Sequence, residues 1–161
     1  MNDAEILAAF YVRRAHYDTY LEANNIHLYT CPGCGFPSLT DRREFSICII
    51  CFWEDDGQDD NADSILNGLF EGISLSGPNG NLTLTENRIN IGYILETNAE
   101  QINGEIDPDP ARVLKTIEFY QQRRGEIEDR MTGHEDPYDH IWIEWKEVRK
   151  DLQMALVVPK L

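Results

Sequence analysis

Four cysteines stand at a spacing that carries chemistry: Cys31-Pro-Gly-Cys34, thirteen residues, then Cys48-Ile-Ile-Cys51. Two sulfurs two residues apart face one point when the chain between them turns tightly, and Pro32, Gly33 and Gly35 suit such a turn. Two knuckles at this separation match the spacing of a structural zinc site. Four thiolates close a tetrahedron and leave no position for water or substrate, so the cofactor expected is one structural Zn²⁺ on Cys31, Cys34, Cys48 and Cys51. Other chemistries compete for the same residues. A redox-active C-x-x-C needs a thioredoxin-like βαβ setting, and neither pair precedes a helical pattern. Four thiolates also suit an iron–sulfur cluster, and in a secreted chain they would suggest two disulfides.

Directly after the last cysteine come two aromatics and a run of acids: Phe52, Trp53, Glu54, Asp55, Asp56, Asp59, Asp60 and Asp63. A calcium-binding loop would need an acid five positions before Gly57, where Phe52 stands. Two readings stay open. The run is a solvated loop, or it is an acidic face that imitates a nucleic-acid backbone and enters the basic cleft of a protein partner. Phe52 and Trp53 would then either anchor that interface or pack on the ribbon with Phe45. Elsewhere, His134-Glu135-Asp136 with Asp139-His140 lacks a helical H-E-x-x-H spacing and reads as a polar loop between Gly133 and the last helix. His16 and His27 have no nucleophile arranged around them. No G-x-S-x-G and no phosphate-binding glycine loop occurs. A protein that is not an enzyme is expected.

These residues must be positioned by the elements around them, and the periodicity predicts an α+β chain, mainly helical, with a small inserted zinc ribbon and short β-hairpin. An amphipathic helix fills residues 2 to about 24, with Asn2 and Glu5 as a capping box, Ile6, Leu7, Phe10, Tyr11, Tyr17 and Leu21 as its stripe, and Asn24-Asn25 as a polar stop. The ribbon spans residues 29–56, with extended segments at His27 to Thr30, Phe36 to Leu39 and Glu44 to Cys48 and a turn at Thr40-Asp41-Arg42-Arg43. An irregular acidic and Gly/Asn-rich loop covers 57–82. The helical part, 83–161, opens at Thr83 with Glu86 as box partner and runs to about Thr97. Asp109 and Pro110 start a further helix, with Val113, Leu114, Ile117 and Tyr120 buried, which Arg123-Arg124-Gly125 should end. A last helix follows Asp139, striped by Trp142, Trp145, Val148, Leu152 and Leu156; with Tyr138 and Ile141 the tryptophans form an aromatic group read first as core. The whole, 1–161, is expected to be a single domain.

Three features together resemble a known family: C-P-x-C-G, two aromatics after the last cysteine, and Trp53-Glu54-Asp55-Asp56. The likeness continues through Gly77-Pro78-Asn79-Gly80 and Leu82-Thr83-Leu84-Thr85-Glu86-Asn87-Arg88. The segment from about 29 to 91 resembles the bacterial CPCC cysteine-rich protein family, with its asparagine-glycine loop and "SLxEAR" helix start. Gly33 stands where the family has an extra cysteine, Ile49 where the second knuckle often has proline, and Asn87 where the helix start has alanine. The resemblance implies no catalytic activity; some members look like immunity proteins that protect a bacterium from its toxin.

Charge points the same way. Fourteen basic side chains against 29 acidic ones give a formal charge of −15. Such a surface repels phosphate backbones and attracts basic partners. The N-terminus carries acids where a signal peptide needs a basic region, and no stretch approaches the ~18 apolar residues that span a bilayer. The expectation is therefore a cytoplasmic, non-enzymatic inhibitor, binding neither nucleic acid nor membrane. Its partner would be a protein, a cognate toxin with a basic cleft and by charge a nuclease. The alternative is a zinc-ribbon adaptor or regulator of a nucleic-acid machine, which predicts a basic strip where only Arg42 and Arg43 stand.

Overall fold

The computed structural model describes residues 1–60, 78–130 and 137–160, with the side chains of the last helix described from Ile143 onward. Among these residues are four helices and one two-stranded antiparallel sheet, the α+β, mainly helical class expected. The chain, expected as one domain, falls into two compact units, Met1–Ile94 and Leu95–Leu161, so that the second helix is shared between them. None of the helices is long and apolar enough to cross a membrane.

In the first unit α1 spans Asp3–Ala23. Asn2 caps it, its side-chain oxygen accepting from the Glu5 N–H at 2.9 Å, and Asp3 and Glu5 meet the positive end of the helix dipole. Ile6, Phe10, Tyr17 and Leu21 form the buried face. The polar stop works as read. Asn25 takes the left-handed conformation (φ 54°), and the Ile26 and Asn25 N–H groups close back on Leu21 and Glu22 carbonyls, a Schellman arrangement with apolar residues at both ends. The second helix, α2, covers Leu84–Gln101. Its capping box is reciprocal: Glu86 N–H donates to Thr83 Oγ1 at 3.0 Å and Thr83 N–H to Glu86 Oε1 at 3.3 Å. It outruns the expected end at Thr97 because Leu95 and Ala99 both gain burial.

The second unit holds β1 (Gly104–Ile106), α3 (Pro110–Asp129), α4 (Pro137–Ala155) and β2 (Val157–Pro159). Asp109 Oδ1 caps α3 through the N–H groups of Ala111 and Arg112. Val113, Ile117 and Ile127 of α3 face Val148 and Leu152 of α4, with Leu156 and Val157 completing the core. The strands pair with Glu105 opposite Val158; three residues each are too few to show an alternation in sequence. Arg123-Arg124-Gly125 does not end α3. The helix continues through Gly125 to Asp129 because Ile127, two residues later, is buried, and that burial outweighs the cost of a mid-helix glycine. A Cβ at Gly125 would meet nothing within 4 Å. Gly125→Ala should therefore stabilise the second unit by about 0.5–1 kcal/mol, read as a raised denaturation midpoint.

Candidate metal centre

The two cysteine knuckles are the same loop built twice. In the first, Cys31 N–H donates to the Phe36 carbonyl at 2.8 Å, Gly35 N–H to the Cys31 carbonyl at 2.8 Å, and Gly33 N–H to Cys31 Sγ at 3.3 Å. In the second, the corresponding bonds run from Cys48 to Trp53 (2.9 Å), from Phe52 to Cys48 (2.9 Å) and from Ile50 to Cys48 Sγ (3.4 Å). The fifth residue of each loop is left-handed: Gly35 at φ 80° and Phe52 at φ 63°. Glycine meets that demand without cost, whereas Phe52 carries the strain of an L side chain there. Each loop is closed by one bridge, Tyr29 with Leu39 and Ile47 with Glu54. This corrects the hairpin expected between Phe36–Leu39 and Glu44–Cys48: each segment pairs across its own knuckle instead.

The four sulfurs all lie within 4.8 Å of one another, with Cys31 Sγ 3.7 Å from Cys51 Sγ and Cys34 Sγ 3.7 Å from Cys48 Sγ. A tetrahedron with metal–sulfur bonds of about 2.3 Å has edges of about 3.8 Å, so the donor set fits a single ion. A disulfide needs about 2.05 Å, and all four cysteines are free. A cluster of several irons would hold its thiolates farther apart. Burial, reinforced by the neighbouring sulfurs, pushes the Cys31 and Cys34 thiols well above the ordinary range. Burial opposes ionisation at Cys48 too, but hydrogen bonds from the other sulfurs and from Ser38, whose Oγ lies 3.0 Å away, hold that thiol well below it. Four sulfurs this close, three of them on buried cysteines, cannot all be anionic unless a cation sits among them. The pocket is made for one.

Residues 29–94 match the cysteine-rich CPCC family. The match covers the span in which the motif resemblance was read and ends three residues beyond it. No curated protein and no solved structure matches the chain.

The geometry explains what the rest of the CPCC segment does. Arg88, 1% exposed, reaches from α2 to the first knuckle. Its Nε donates to the Pro32 carbonyl at 2.7 Å, its NH1 to Tyr11 Oη at 3.0 Å, and its guanidinium lies over Phe10, 4.3 Å from the ring centroid. NH1 also meets Asp60 at 2.7 Å. Asn87 beside it donates from Nδ2 to the Gly33 carbonyl at 3.0 Å. Asn79 clamps the second knuckle, accepting from Glu54 N–H at 2.8 Å and donating to its carbonyl at 2.9 Å, as a neighbouring strand would. The resemblance marked these three positions without giving them roles; only their meeting with the knuckles in space does.

Two departures from the family pattern touch each other. A Cβ on Gly33 would sit 2.6 Å from Asn87 Nδ2 and 2.9 Å from Trp53 Cβ. Gly33→Ala alone should cost about 1–3 kcal/mol by overpacking, and Asn87→Ala about 1–3 kcal/mol by leaving the buried Gly33 carbonyl unpaired. The double variant should cost less than the sum, because removing Asn87 relieves one of the two clashes. Denaturation of all four proteins reads the coupling; strict additivity would show the two residues to be independent.

The acidic run is placed differently from either reading of it. Trp53, 1% exposed, and Asp55, 0% exposed, lie in the interior. Trp53 thus packs into the ribbon, one of the two places expected for it, whereas the partner-facing place expected for Asp55 is corrected, because the ribbon closes over it. Asp55 Oδ2 accepts from Arg42 Nε at 2.9 Å and from Arg43 N–H at 2.8 Å. Asp59 takes both terminal nitrogens of Arg14, at 2.7 and 2.8 Å, and Arg42 NH2 at 3.1 Å. Asp56 turns back on Gln58. Phe52, Glu54, Asp56 and Asp59 are half-buried and Asp60 exposed. Asp63, Gly77, His134, Glu135 and Asp136 lie outside the described residues, as do the side chains of Tyr138, Asp139, His140, Ile141 and Trp142.

Burial alone would raise the Asp59 carboxyl, but the bidentate Arg14 contact and Arg42 outweigh it and hold the group well below the usual carboxylate range. A folded value below the unfolded one, about 3.9, means that this stabilisation is full above pH ~4 and is lost as pH falls further. Wild type should therefore lose stability more steeply below pH ~4 than Asp59→Asn. Equal acid limbs in paired denaturation series would count against the pairing.

Proposed function

We propose that this chain is a non-enzymatic binding protein of the immunity type. One zinc ion shapes its CPCC segment, and an acidic exterior covers the basic cleft of a toxin, by charge a nuclease. Zinc suits a closed set of four thiolates, and with every coordination position filled the ion supplies shape rather than chemistry.

The observation that carries the reading is where the cations point. The first unit has five arginines and no lysine against fourteen acids. Arg13 Nε donates to the Cys34 carbonyl and its guanidinium covers Phe36. Arg14, Arg42 and Arg88 hold Asp55, Asp59, Asp60 and Pro32. Arg43 is exposed, among exposed Asp3, Glu5, Asp18, Glu22, Glu44 and Glu86. Cations used internally leave the outside more negative than composition alone implies. That exterior would repel a phosphate backbone and speed encounter with a basic cleft. An adaptor on nucleic acid would need a basic strip at Arg42 and Arg43, and Arg42 is held by two carboxylates.

Co-expression with the protein encoded beside this one tests the proposal. Rescue of growth, with a complex that associates more slowly as salt rises, is expected. Neither rescue nor complex would overturn it.

A further inference from the structure

Between the knuckles the chain carries two left-handed residues that are not glycine, Arg43 at φ 64° and Phe45 at φ 61°. A bulky side chain at positive φ is a true outlier, and such strain persists only where surrounding structure over-determines it. Phe52 shares the conformation because the knuckle requires it, but Phe45 lies in no knuckle. It is also 57% exposed. Conformation and solvent exposure are thus both unfavourable for this aromatic in the isolated protein.

The support comes from inside. The buried Asp55 carboxylate accepts from Arg43 N–H at 2.8 Å, and Phe45 N–H donates to the Asp55 carbonyl at 3.0 Å. Asp55 N–H donates in turn to the Ser46 carbonyl at 3.0 Å, and Ser46 Oγ to Asp41 Oδ1 at 2.8 Å. Arg42, from the same turn, closes on Asp55 at 2.9 Å. Asp41, Arg42, Arg43, Phe45 and Ser46, on either side of Glu44, are each held by one of these bonds, and the turn they form presents one aromatic ring. A backbone fixed in advance lowers the freedom the segment loses on docking, which suits an interface anchor.

We propose that Phe45 is the anchor by which the zinc-ordered ribbon docks its partner, and that the receiving surface is an apolar pocket with a basic rim on another protein. The rim follows from charge. Exposed Glu44 precedes Phe45 in the chain, and half-buried Asp41, Glu54 and Asp56 belong to the same turn and its bridge, against Arg43, since Arg42 is committed to Asp55 and Asp59. The same balance disfavours an anionic lipid surface. Asp55, read from sequence as a contact, becomes a positioning residue acting through Arg43 and Phe45. This inference rests on the binding-protein reading above.

The test uses the full metal-loaded chain and, as probe, the purified protein encoded beside it. Phe45→Gly removes the ring and frees the backbone at once. It should raise the thermal midpoint by a few degrees while weakening the complex by about 10- to 100-fold. Phe45→Ala should weaken the complex comparably without raising the midpoint as far, and Phe119→Ala, at an exposed aromatic of the second unit, should change neither. A complex unaffected by either Phe45 variant overturns the anchor and leaves the binding reading standing. No complex with wild type overturns that reading, and the anchor with it. A lower midpoint for Phe45→Gly refutes the strain argument. Self-association of wild type that Phe45→Ala abolishes would assign the ring to a second copy and overturn the proposed partner.

Discussion

Cys48→Ser should release the metal and disorder the ribbon, residues 29–60, while leaving the second unit intact. Structural zinc in small peptides contributes on the order of 10–16 kcal/mol, comparable to the whole ~5–15 kcal/mol stability of a typical domain. Cys48 also holds its own knuckle, since its N–H, carbonyl and sulfur serve Trp53, Phe52 and Ile50. Losing the ion exposes Ile49, Ile50 and Trp53, all buried now. Metal content should fall from one equivalent to none, with resonances of residues 29–60 collapsing toward unstructured positions. Val113, Val148 and Leu152 should keep native shifts, because the core of the second unit contains no ligand. Chelation of wild type should reproduce this. A metal-free protein whose Ile49 and Trp53 signals stay native would refute the centre.

Arg88→Met should cost about 2–3 kcal/mol, set mainly by the buried Pro32 carbonyl left without its donor, because Asp60 is half-exposed and Asp59 keeps Arg14 and Arg42. The loss is compound. The Pro32 carbonyl and Tyr11 hydroxyl lose a donor, Phe10 loses the guanidinium stacked on it, and Asp59 and Asp60 lose a counter-charge. Arg88→Lys should recover less than half. A lysine ammonium carries the charge but cannot lie flat on Phe10 while reaching both Pro32 and Asp60. Urea denaturation of the metal-loaded variants measures both. A cost under about 1 kcal/mol for Arg88→Met would mean that desolvation of the guanidinium already cancels its contacts.

What could be read from the sequence were features whose cause is local. The zinc-type ligand set follows from cysteine spacing, because a C-x-x-C turn aims its sulfurs whatever surrounds it. The starts of α1, α2 and α3 follow from caps at Asn2, Thr83 and Asp109, whose bonds reach three residues at most. Tertiary structure decided the rest. Burial of Ile127 carries α3 past Gly125, and β1 finds β2 half a hundred residues away. The acids after Cys51 look like surface in one dimension and become the counter-ions of Arg14, Arg42 and Arg88, residues 13 to 45 positions distant. Charge in a sequence has a sign but no address. Whether a carboxylate faces water or a guanidinium is settled only when folding brings distant arginines to it.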